Sequence, residues 1–379
     1  MSKIWVVHIR CGSGHTKAAE AVHNVLAEKF DPELLNLADS SARIFKYFYE
    51  SGYSLLVRCF PQVWFLIYRV FAIKLFSQIL LWQNRLIFRR FIKSIIKENP
   101  DVLISTHFFV SQIAAGLKRK GLIDSKLITV ITDYGVHRLW INNPTDFYIT
   151  ASQDVADEFK KKHAINPEKI KAFGLPLRQE FYKLPDTGLR KRYQEPDNIT
   201  TVLLFSGGLG IGPFKLLIDK LYKKCGLLVV YGKNKGIESY IKRIENPVYL
   251  KGFEYKEEIW ELMGLADFVV TKAGGLSVSE CIAFKKPMVF MSAVPGQEYY
   301  NIDFVVQNKL GFYPGNNQKL IETIEWLVSN PENIEALNRN FDKVAVQNSP
   351  LLIRELVCSI VSNTSRRESR KGPSDPRDK

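Results

Sequence analysis

Short apolar runs that alternate with amphipathic segments constrain the fold of this 379-residue chain more than any other feature. The first run is Ile4 to Ile9, and after a glycine turn the apolar residues recur at helical spacing from Ala18 to Phe30. Further runs follow at 102–105, 127–132 and 147–149. Parallel strands joined by crossover helices produce this alternation. We therefore predict an α/β domain with a doubly wound sheet in the first half of the chain.

A second series of the same kind begins at Thr201. The stretch before it, 184–200, holds two prolines, a glycine and a run of three basic residues, and this composition is typical of a linker. Strands are predicted after it at 201–205, 227–231, 248–250, 268–271 and 288–291. The chain is therefore predicted to form two Rossmann-like, doubly wound domains that face each other across a cleft.

The domain boundaries follow from these patterns. The N-terminal domain is predicted at 1–185, the linker at 186–200 and the C-terminal domain at 201–348. Residues 349–364 are predicted to form a helix that packs back on the N-terminal domain. Residues 365–379 contain almost no apolar side chains and are predicted to be a disordered basic tail.

The overall charge indicates a polyanionic partner. There are 53 Lys and Arg residues against 39 Asp and Glu, a formal net charge of +14, which suits nucleic acid or an anionic membrane surface. The 5 cysteines are far apart and form no C-x-x-C pair, which argues against a disulfide framework or a zinc site and favours a reducing cytosol. No segment has a secretion-signal core or the roughly 18 apolar residues of a spanning helix, so we expect a cytoplasmic chain that does not cross a bilayer.

The basic charge is concentrated in an insertion at 41–96, where nine Lys or Arg residues oppose Glu50 alone and fourteen aromatic residues are interleaved. Aromatic rings suit a headgroup boundary, and basic side chains are attracted to anionic lipid. The aromatics could instead form a helical subdomain core beneath a solvated basic face, or stack on nucleic acid bases. We favour peripheral membrane docking. The candidate membrane or acceptor residues here are Tyr53, Trp64, Phe65, Trp82, Arg85, Arg89 and Arg90.

Glycine turns follow several predicted strands. Gly12-Ser13-Gly14-His15 stands between the first strand and its helix, where backbone N–H groups can face an anion. His15 is suited to act as a base near neutral pH, although a lone histidine at a helix start is more often a cap or a core contact. Glycine loops recur at 206–212 and 274–277, and the second opens a helix that carries Glu280. A carboxylate at that position can accept both hydroxyls of a ribose, while the glycines could serve only tight packing.

Polar residues follow other strand ends, where ligands of open α/β sheets bind. Gln297 and Asn301 suit sugar hydroxyls, and Lys272 could neutralise a diphosphate. In the first half, His107, Asp133 and His137 occupy such positions and are candidates for acceptor contact or catalysis. Asp133 could hold an acceptor hydroxyl, orient a histidine or merely cap a turn. The chain has no Asp-x-Asp pair, so no nucleotide-bound divalent ion is expected and no metal ligands are assigned.

Eight motifs in order resemble one enzyme family: GSGHTKAAEAV, STHFF, TDYGVHRLW, FGLP, SGGLG, LKGF, TKAGGLSVSE and PGQEYYN. The set resembles the monogalactosyldiacylglycerol synthase and processive diacylglycerol glucosyltransferase family, over about residues 3–360. These are inverting GT-B enzymes related to the lipid II-forming N-acetylglucosaminyl transferase. The chain departs from the family's pattern at Arg10-Cys11, where relatives commonly carry a fuller glycine run before the histidine.

The resemblance implies a role for each matching residue. His15 becomes the candidate catalytic base, with Asp133 as its partner or a competing base. Glu280 would bind the ribose, the glycines would approach the nucleotide, and Gly252-Phe253 would lie beside the uracil. The implied UDP-sugar-binding set is Gly14, Ser206, Gly207, Gly208, Gly252, Phe253, Lys272, Gly274, Gly275, Ser277, Glu280, Gln297, Glu298 and Asn301.

The implied activity is transfer of glucose or galactose from a UDP-sugar co-substrate to 1,2-diacylglycerol with inversion. The enzyme would need no bound cofactor or metal and would act at an anionic membrane surface on the cytosolic face, without nucleic acid. Two alternatives stay open. One is an N-acetylglucosaminyl transferase that acts on a polyprenyl-linked acceptor, and the other is a soluble UDP-sugar epimerase, which would have no use for the basic, aromatic insertion.

Overall fold

The computed structural model describes residues 2–10, 13–42, 46, 52, 60–71, 86–207, 210, 212–296 and 298–370. They form two six-stranded sheets in which every strand pair is parallel. The first sheet has the order β2-β1-β3-β4-β5-β6. Its strands are β1 (Ile4–His8), β2 (Pro32–Asn36), β3 (Val102–Ser105), β4 (Lys126–Val130), β5 (Phe147–Ile149) and β6 (Ile170–Lys171).

The structure also describes helices in the first half of the chain. They are α1 (Gly14–Leu26), α2 (Pro61–Phe71), α3 (Arg89–Glu98), α4 (Phe108–Arg119) and α5 (Gln153–His163). At the start of α5, the Ser152 hydroxyl accepts a hydrogen bond from the Val155 N–H, and the helix ends at Ala164 in the left-handed conformation. At the start of α4, the His107 ring accepts a hydrogen bond from the Phe109 N–H. These caps fix where the helices begin relative to the strand ends.

The second sheet has the order β12-β11-β10-β7-β8-β9. Its strands are β7 (Thr201–Phe205), β8 (Gly226–Val230), β9 (Tyr249–Phe253), β10 (Phe268–Lys272), β11 (Met288–Ser292) and β12 (Gly311–Phe312). The helices of this half and of the chain end are α6 (Leu189–Tyr193), α7 (Phe214–Leu221), α8 (Lys235–Ile241), α9 (Ile259–Leu265), α10 (Gly275–Ala283), α11 (Tyr299–Gln307), α12 (Asn317–Ser329), α13 (Pro331–Phe341) and α14 (Ser349–Arg370).

The observed architecture confirms the predicted fold class of two doubly wound α/β units. The central strands β3, β7 and β8 are buried along their whole length, as expected where helices cover both faces of a parallel sheet. The pattern of apolar runs did not predict β2, β6 and β12. All three lie at sheet edges, where only one side is hydrogen-bonded and a short or partly polar strand suffices.

The stretch between the two sheets is packed rather than extended. It contains the short helix α6, whose Leu189 and Tyr193 are buried against the core of the second half. The Tyr249 hydroxyl donates a hydrogen bond to the Tyr193 carbonyl at 2.9 Å. The linker is therefore attached to the second half of the chain by both apolar and polar contacts.

The last helix, α14, returns to the first half of the chain. Its Ile353 and Val357 pack with Val22 and Leu26 of α1 in one buried cluster. The helix continues past residue 364 to Arg370, further than predicted, because unbranched arginine and glutamate side chains lose little rotamer freedom in a helix. Residues 371–379 of the predicted tail lie outside the described residues. In the described part of the chain, no helix reaches both the length and the hydropathy that crossing a membrane requires.

Candidate active site

A cleft of about 200 Å³ lies between the two halves, at the carboxyl ends of their central strands. Both halves contribute to its walls. The first half contributes Ser13, Gly14, His15, Lys17, Thr132, Asp133 and Arg178, and the second contributes Phe205, Gly207, Val230, Tyr255, Lys256, Ile259, Thr271, Lys272, Gly274, Gly275, Leu276, Ser277, Glu280 and Glu298. This is the position at which open α/β sheets bind ligands.

Two helix N-termini meet in this cleft. The start of α1 approaches the start of α10, where a Cβ added at Gly14 would lie 3.8 Å from the Leu276 Cβ. Neither helix has an acidic residue in its first turn, and neither has a side chain that caps its N-terminal N–H groups. Uncapped N–H groups and the positive ends of two helix dipoles therefore face the same space, which favours a bound anion.

His15 is held in the tautomer that can accept a proton. Its Nδ1 lies 2.7 Å from the Thr106 carbonyl oxygen and 3.0 Å from the Thr132 hydroxyl oxygen. Because a carbonyl oxygen can only accept, Nδ1 carries the proton and Nε2 keeps its lone pair. Burial lowers the pKa of His15 to about 4, so the ring is neutral at pH 7. The geometry thus gives a neutral imidazole ready to act as a base.

His107 and His137, which the sequence predicted as acceptor contacts, act as helix caps in the structure. The His107 Nδ1 accepts from the Phe109 N–H at 3.2 Å, and the buried ring stands edge-on to His15 with centroids 4.8 Å apart. The His137 Nδ1 accepts from the Leu139 N–H at 3.3 Å. Neither is among the described residues that line the cleft. His107 instead supports the His15 ring from within the domain.

Asp133 and Asn301 meet where the two halves touch. The Asn301 amide nitrogen donates to the Asp133 carboxylate at 3.1 Å and to the Ala273 carbonyl at 2.8 Å. The Asn301 oxygen accepts from the Tyr134 N–H at 2.8 Å. Asn301 is completely buried and does not line the cleft, in contrast to the predicted contact with the donor sugar. Its amide is already committed to protein partners.

Glu280 is a buried carboxylate that faces the cleft from the second turn of α10. Burial raises its pKa to about 7, against the opposing effect of the positive charges of Arg178 and Lys17. Within the described part of the chain no hydrogen bond to this carboxylate is present. Its oxygens are therefore available to accept hydrogen bonds from a ligand's hydroxyl groups.

Among the described residues, four cationic side chains line the cleft, and only Lys272 was predicted from the sequence to bind there. Lys272 forms an ion pair with the buried Glu298, which also accepts from the Val294 N–H at 2.7 Å. Arg178 donates to the Glu257 carbonyl at 2.6 Å and lies over the Trp260 ring, 4.5 Å from its centroid.

The other two cations are Lys17 and Lys256. Lys17 lies within the first glycine-loop motif, and Arg178 directly follows Phe173-Gly174-Leu175-Pro176 and one leucine. Lys17 and Arg178 could therefore have been found from the sequence by their position in or beside these motifs. The four cations, together with the helix starts, make this space suitable for a diphosphate.

Of the remaining residues predicted to bind the UDP-sugar, some line the cleft and others do not. Gly207, with φ of +69°, and Gly274 and Ser277 line the cleft, while the buried Ser206 hydroxyl has no hydrogen-bond partner among the described residues. Gly252 and Phe253 end β9 without lining the cleft, and Tyr255 and Lys256, a few residues further on, line it instead. Gly208 and Gln297 lie outside the described residues.

Gly275 lines the cleft but is required for the contact between the halves. A Cβ at this position would fall far inside van der Waals distance of the Thr132 carbonyl oxygen and 3.1 Å from the Asp133 Cα. At Gly274 a Cβ would have its nearest neighbours at 3.9 Å, and φ is −73°, which any residue adopts. Only the second glycine of the pair is therefore demanded by packing.

Replacing Gly275 with Ala is expected to force α10 away from the segment that carries Asp133 and to destabilise the fold by about 1–3 kcal/mol. Gly274→Ala is the matched control and should leave the midpoint of thermal unfolding almost unchanged. Calorimetry of both variants tests this. Equal midpoints for the two variants would contradict the interpretation that Gly275 serves the interface.

The predicted membrane-docking residues are described only in part. Tyr53, Trp82 and Arg85 lie outside the described residues, and Trp64 and Phe65 are half-buried in α2. Beside them Phe60 and Leu66 are 59% and 63% exposed. On α3, Arg89 and Arg90 are exposed while Phe91 and Ile95 are buried in the core of the first half. The segment therefore combines a core-packed face with an exposed basic and apolar one.

No group of three or more His, Cys, Asp or Glu side chains that could hold a metal ion occurs within the described residues.

Solved structures with a similar fold include GT-B glycosyltransferases. MurG of Acinetobacter baumannii aligns with a TM-score of 0.62 at 10% identity, over 95% of this chain and 100% of that one. Phytolacca americana UGT2, solved with UDP-2fluoro-glucose and pterostilbene, gives 0.62 at 11% identity, with coverage of 95% and 100%. The two parallel sheets and their cleft thus define a GT-B glycosyltransferase fold.

Sequence comparison identifies relatives within the glycosyltransferases. Residues 15–177 match the monogalactosyldiacylglycerol (MGDG) synthase family, and residues 215–344 match glycosyl transferases group 1. Processive diacylglycerol beta-glucosyltransferase of Bacillus pumilus (strain SAFR-032) is 24% identical over 93% of this chain and 94% of its own length. Chloroplastic monogalactosyldiacylglycerol synthase 1 of Arabidopsis thaliana is 28% identical, with coverage of 90% and 68%. The first half of the chain thus matches the monogalactosyldiacylglycerol synthase family model, and most of the chain is similar to diacylglycerol glycosyltransferases at 24–28% identity.

Proposed function

We propose that this protein transfers a hexose, glucose or galactose, from a UDP-sugar to the free hydroxyl of 1,2-diacylglycerol and inverts the anomeric centre. The observation that carries the proposal is the pairing of a neutral His15 with a carboxylate at Glu280 on opposite walls of one interdomain cleft. The acceptor class comes from the names of the relatives, which are diacylglycerol glycosyltransferases from bacteria and plants.

The donor would occupy the wall formed by the second half. Glu280 accepts hydrogen bonds from the ribose hydroxyls, and the α10 N-terminus faces the diphosphate. Lys17, Arg178, Lys256 and Lys272 surround the same space and offset the two phosphate charges. Gly207 allows close approach of the nucleotide, and Gln297 and Glu298 are assigned to the diphosphate and donor sugar.

The chemical step is a direct displacement. The Nε2 lone pair of His15 takes the proton of the acceptor hydroxyl as the hydroxyl oxygen forms a bond to the anomeric carbon. The bond from that carbon to the UDP oxygen breaks on the opposite face, and UDP leaves as an anion. The helix N-termini and the four cations stabilise this developing charge, and closure of the cleft excludes water. The proton on His15 then passes to solvent.

Membrane association is assigned to the exposed part of the insertion. Phe60, Val63 and Leu66 are exposed on and beside α2, and the basic residues of α3 face solvent near them in the chain. A lipid acceptor cannot diffuse freely in water, so an enzyme that uses it must reach the bilayer surface. We assign the protein to the cytosolic face, as a peripheral enzyme.

The two alternatives are a polyprenyl-linked acceptor with an N-acetylglucosamine donor, and a UDP-sugar epimerase. The likeness to MurG is one of fold alone at 10% identity. Incubation of the full chain with diacylglycerol in anionic vesicles, and separately with UDP-glucose, UDP-galactose and UDP-N-acetylglucosamine, discriminates among them. Mass spectrometry of the extracted lipids should detect hexosyl-diacylglycerol. Tight UDP binding with no glycolipid from any donor would favour the alternatives.

Changing Arg89, Arg90 and Lys93 together to Gln is expected to lower binding to anionic vesicles by about tenfold, since each basic residue at the surface contributes about 1 kcal/mol or less. In the matched control, three exposed lysines of the second half are changed to Gln, which removes the same total charge: Lys215, Lys220 and Lys223. Vesicle sedimentation at low and high salt measures the effect. Unchanged binding of the first triple variant would contradict docking through α3.

A further inference from the structure

Asn301, the last residue of the Pro295–Asn301 loop and helix start, has all its polar atoms engaged at the junction of the two halves. Its two N–H bonds point to the Asp133 carboxylate and the Ala273 carbonyl, and its oxygen accepts from the Tyr134 N–H. The side chain has no solvent exposure. To donate to a sugar it would have to break one of these buried hydrogen bonds, and its oxygen has no exposed surface at which a sugar hydroxyl could reach it.

Several contacts besides the hydrogen bonds to Asn301 hold segment 132–135 in place. The Tyr134 hydroxyl lies 2.8 Å from the Ser279 hydroxyl oxygen, and the Tyr134 ring packs on Phe304 with centroids 4.3 Å apart. A Cβ at Gly135 would overlap the Tyr300 ring. This contact therefore belongs to a close-packed interface, in which small displacements of either side are resisted.

We propose that Asn301 is a positioning residue that holds the Asp133 carboxylate in the cleft, rather than a ligand of the donor sugar. An amide N–H that donates to a carboxylate forms a directional, charge-assisted hydrogen bond and selects one orientation of that carboxylate. Asn301 lies three residues after Glu298, which lines the donor side of the cleft. The same short segment thus links the donor loop of one half to Asp133 of the other.

This inference rests on the proposed function, because Asp133 is taken to be the partner of His15 or a competing base. It differs from the role that the sequence assigned to Asn301, which was direct contact with the donor. The two roles predict different changes in donor affinity and in turnover. A sugar contact contributes to donor affinity, whereas a positioning contact contributes to turnover after the donor is bound.

The test compares wild type, Asn301→Ala, Asp133→Asn and the double variant in the vesicle assay. Dissociation constants for UDP-glucose and UDP are measured by calorimetry. Ser279→Ala is the matched control, since it removes another buried hydrogen bond between the halves without contacting Asp133. Asn301→Ser is the second variant in case the alanine variant does not fold, because serine keeps a polar group but is too short to hold Asp133.

We expect Asn301→Ala to lower kcat about 10- to 100-fold with the UDP-glucose Kd within about twofold of wild type. The kcat of the double variant should lie within about twofold of the kcat of Asp133→Asn, because both changes disable the same hydrogen-bonded pair. Ser279→Ala should lower the unfolding midpoint and keep kcat within about threefold.

Three results would overturn the inference. They are a weakened affinity for UDP-glucose with unchanged affinity for UDP, additive losses in the double variant, and an equal loss of kcat in Ser279→Ala. A wild-type protein that makes no glycosyl-diacylglycerol would instead overturn the proposed function. The two dissociation constants would still decide whether Asn301 contacts the sugar.

Discussion

Replacing His15 with Ala is expected to lower kcat about 10²- to 10⁴-fold while the UDP-glucose dissociation constant stays within about twofold of wild type. The reason is that the ring supplies the lone pair for proton removal, whereas the helix N-termini, the cations and Glu280 that would hold the nucleotide remain. Stopped assays of lipid product and calorimetric titration with UDP-glucose measure the two quantities.

His23→Ala is the control for the His15 variant. His23 lies on the same helix, but its ring contacts the Pro32 carbonyl, and it does not line the cleft. Turnover of this variant should stay close to wild type. Unchanged turnover in His15→Ala would remove His15 as the base and leave Asp133 as the candidate.

The pH profile separates His15 from an ordinary exposed histidine. Its pKa is lowered to about 4, so the proton-accepting form predominates at every pH above that value. With saturating donor, kcat should therefore show no acid limb near pH 6.5 and should fall only as the pH approaches 4. An acid limb of kcat near 6.5 that disappears in His15→Ala would contradict the lowered pKa of His15.

Changing Glu280 to Gln is the second substitution with a large expected effect, a loss of UDP-sugar affinity of about 1–3 kcal/mol, or about 5- to 150-fold. The carboxylate accepts from two ribose hydroxyls, whereas the amide offers one acceptor oxygen and an N–H group that has no acceptor there. Glu322→Gln, which changes an exposed carboxylate on α12, is the control. Equal affinity of wild type and Glu280→Gln would show that the ribose lies elsewhere.

The raised pKa of Glu280, about 7, adds a pH dependence of known sign. Only the ionised carboxylate accepts from both hydroxyls, so the Kd of wild type for UDP-glucose should rise as the pH falls from 8 to 6. The Kd of Glu280→Gln should be flat over this range. UDP-glucose is the proper probe because, unlike UDP, it has no terminal phosphate that titrates near pH 6.

The sequence was sufficient to predict the interior of each sheet. Central strands such as β3 and β7 are buried on both faces and must be apolar throughout, so their positions can be read directly. Edge strands lack this signature. In β2, Pro32–Asn36, two of the five residues are polar and most of the strand is partly exposed, and β6 and β12 have only 2 residues each.

Some residues of the candidate site could be predicted from the sequence and others could not, also for a physical reason. Residues in the first two turns of the helix that comes after a strand, such as His15 and Glu280, could be predicted because the carboxyl ends of parallel strands define the cleft. Residues whose position depends on how the halves meet could not. Arg178 was missed for this reason, and the sequence could not show that Asn301 and Gly275, both predicted to bind the UDP-sugar, also pack against the segment that carries Thr132 and Asp133.

The predicted acceptor histidines show a further limit of sequence reasoning. His107 and His137 both follow strand ends and precede helical segments, a position that suits ligand contact and helix capping equally. In the structure each ring caps a helical segment, since each accepts a backbone N–H two residues further along the chain. Residue type and position alone do not distinguish the two roles.

The measurement that tests the central claim most directly is the anomeric configuration of the lipid product. Wild-type protein, diacylglycerol in anionic vesicles and the α-linked donor UDP-glucose or UDP-galactose would be incubated, and the purified glycolipid examined by proton NMR. Single displacement with His15 as base predicts a β-hexosyl-diacylglycerol, with the large axial coupling of a β anomeric proton. An α-linked product, or release of free hexose without glycolipid, would contradict the account.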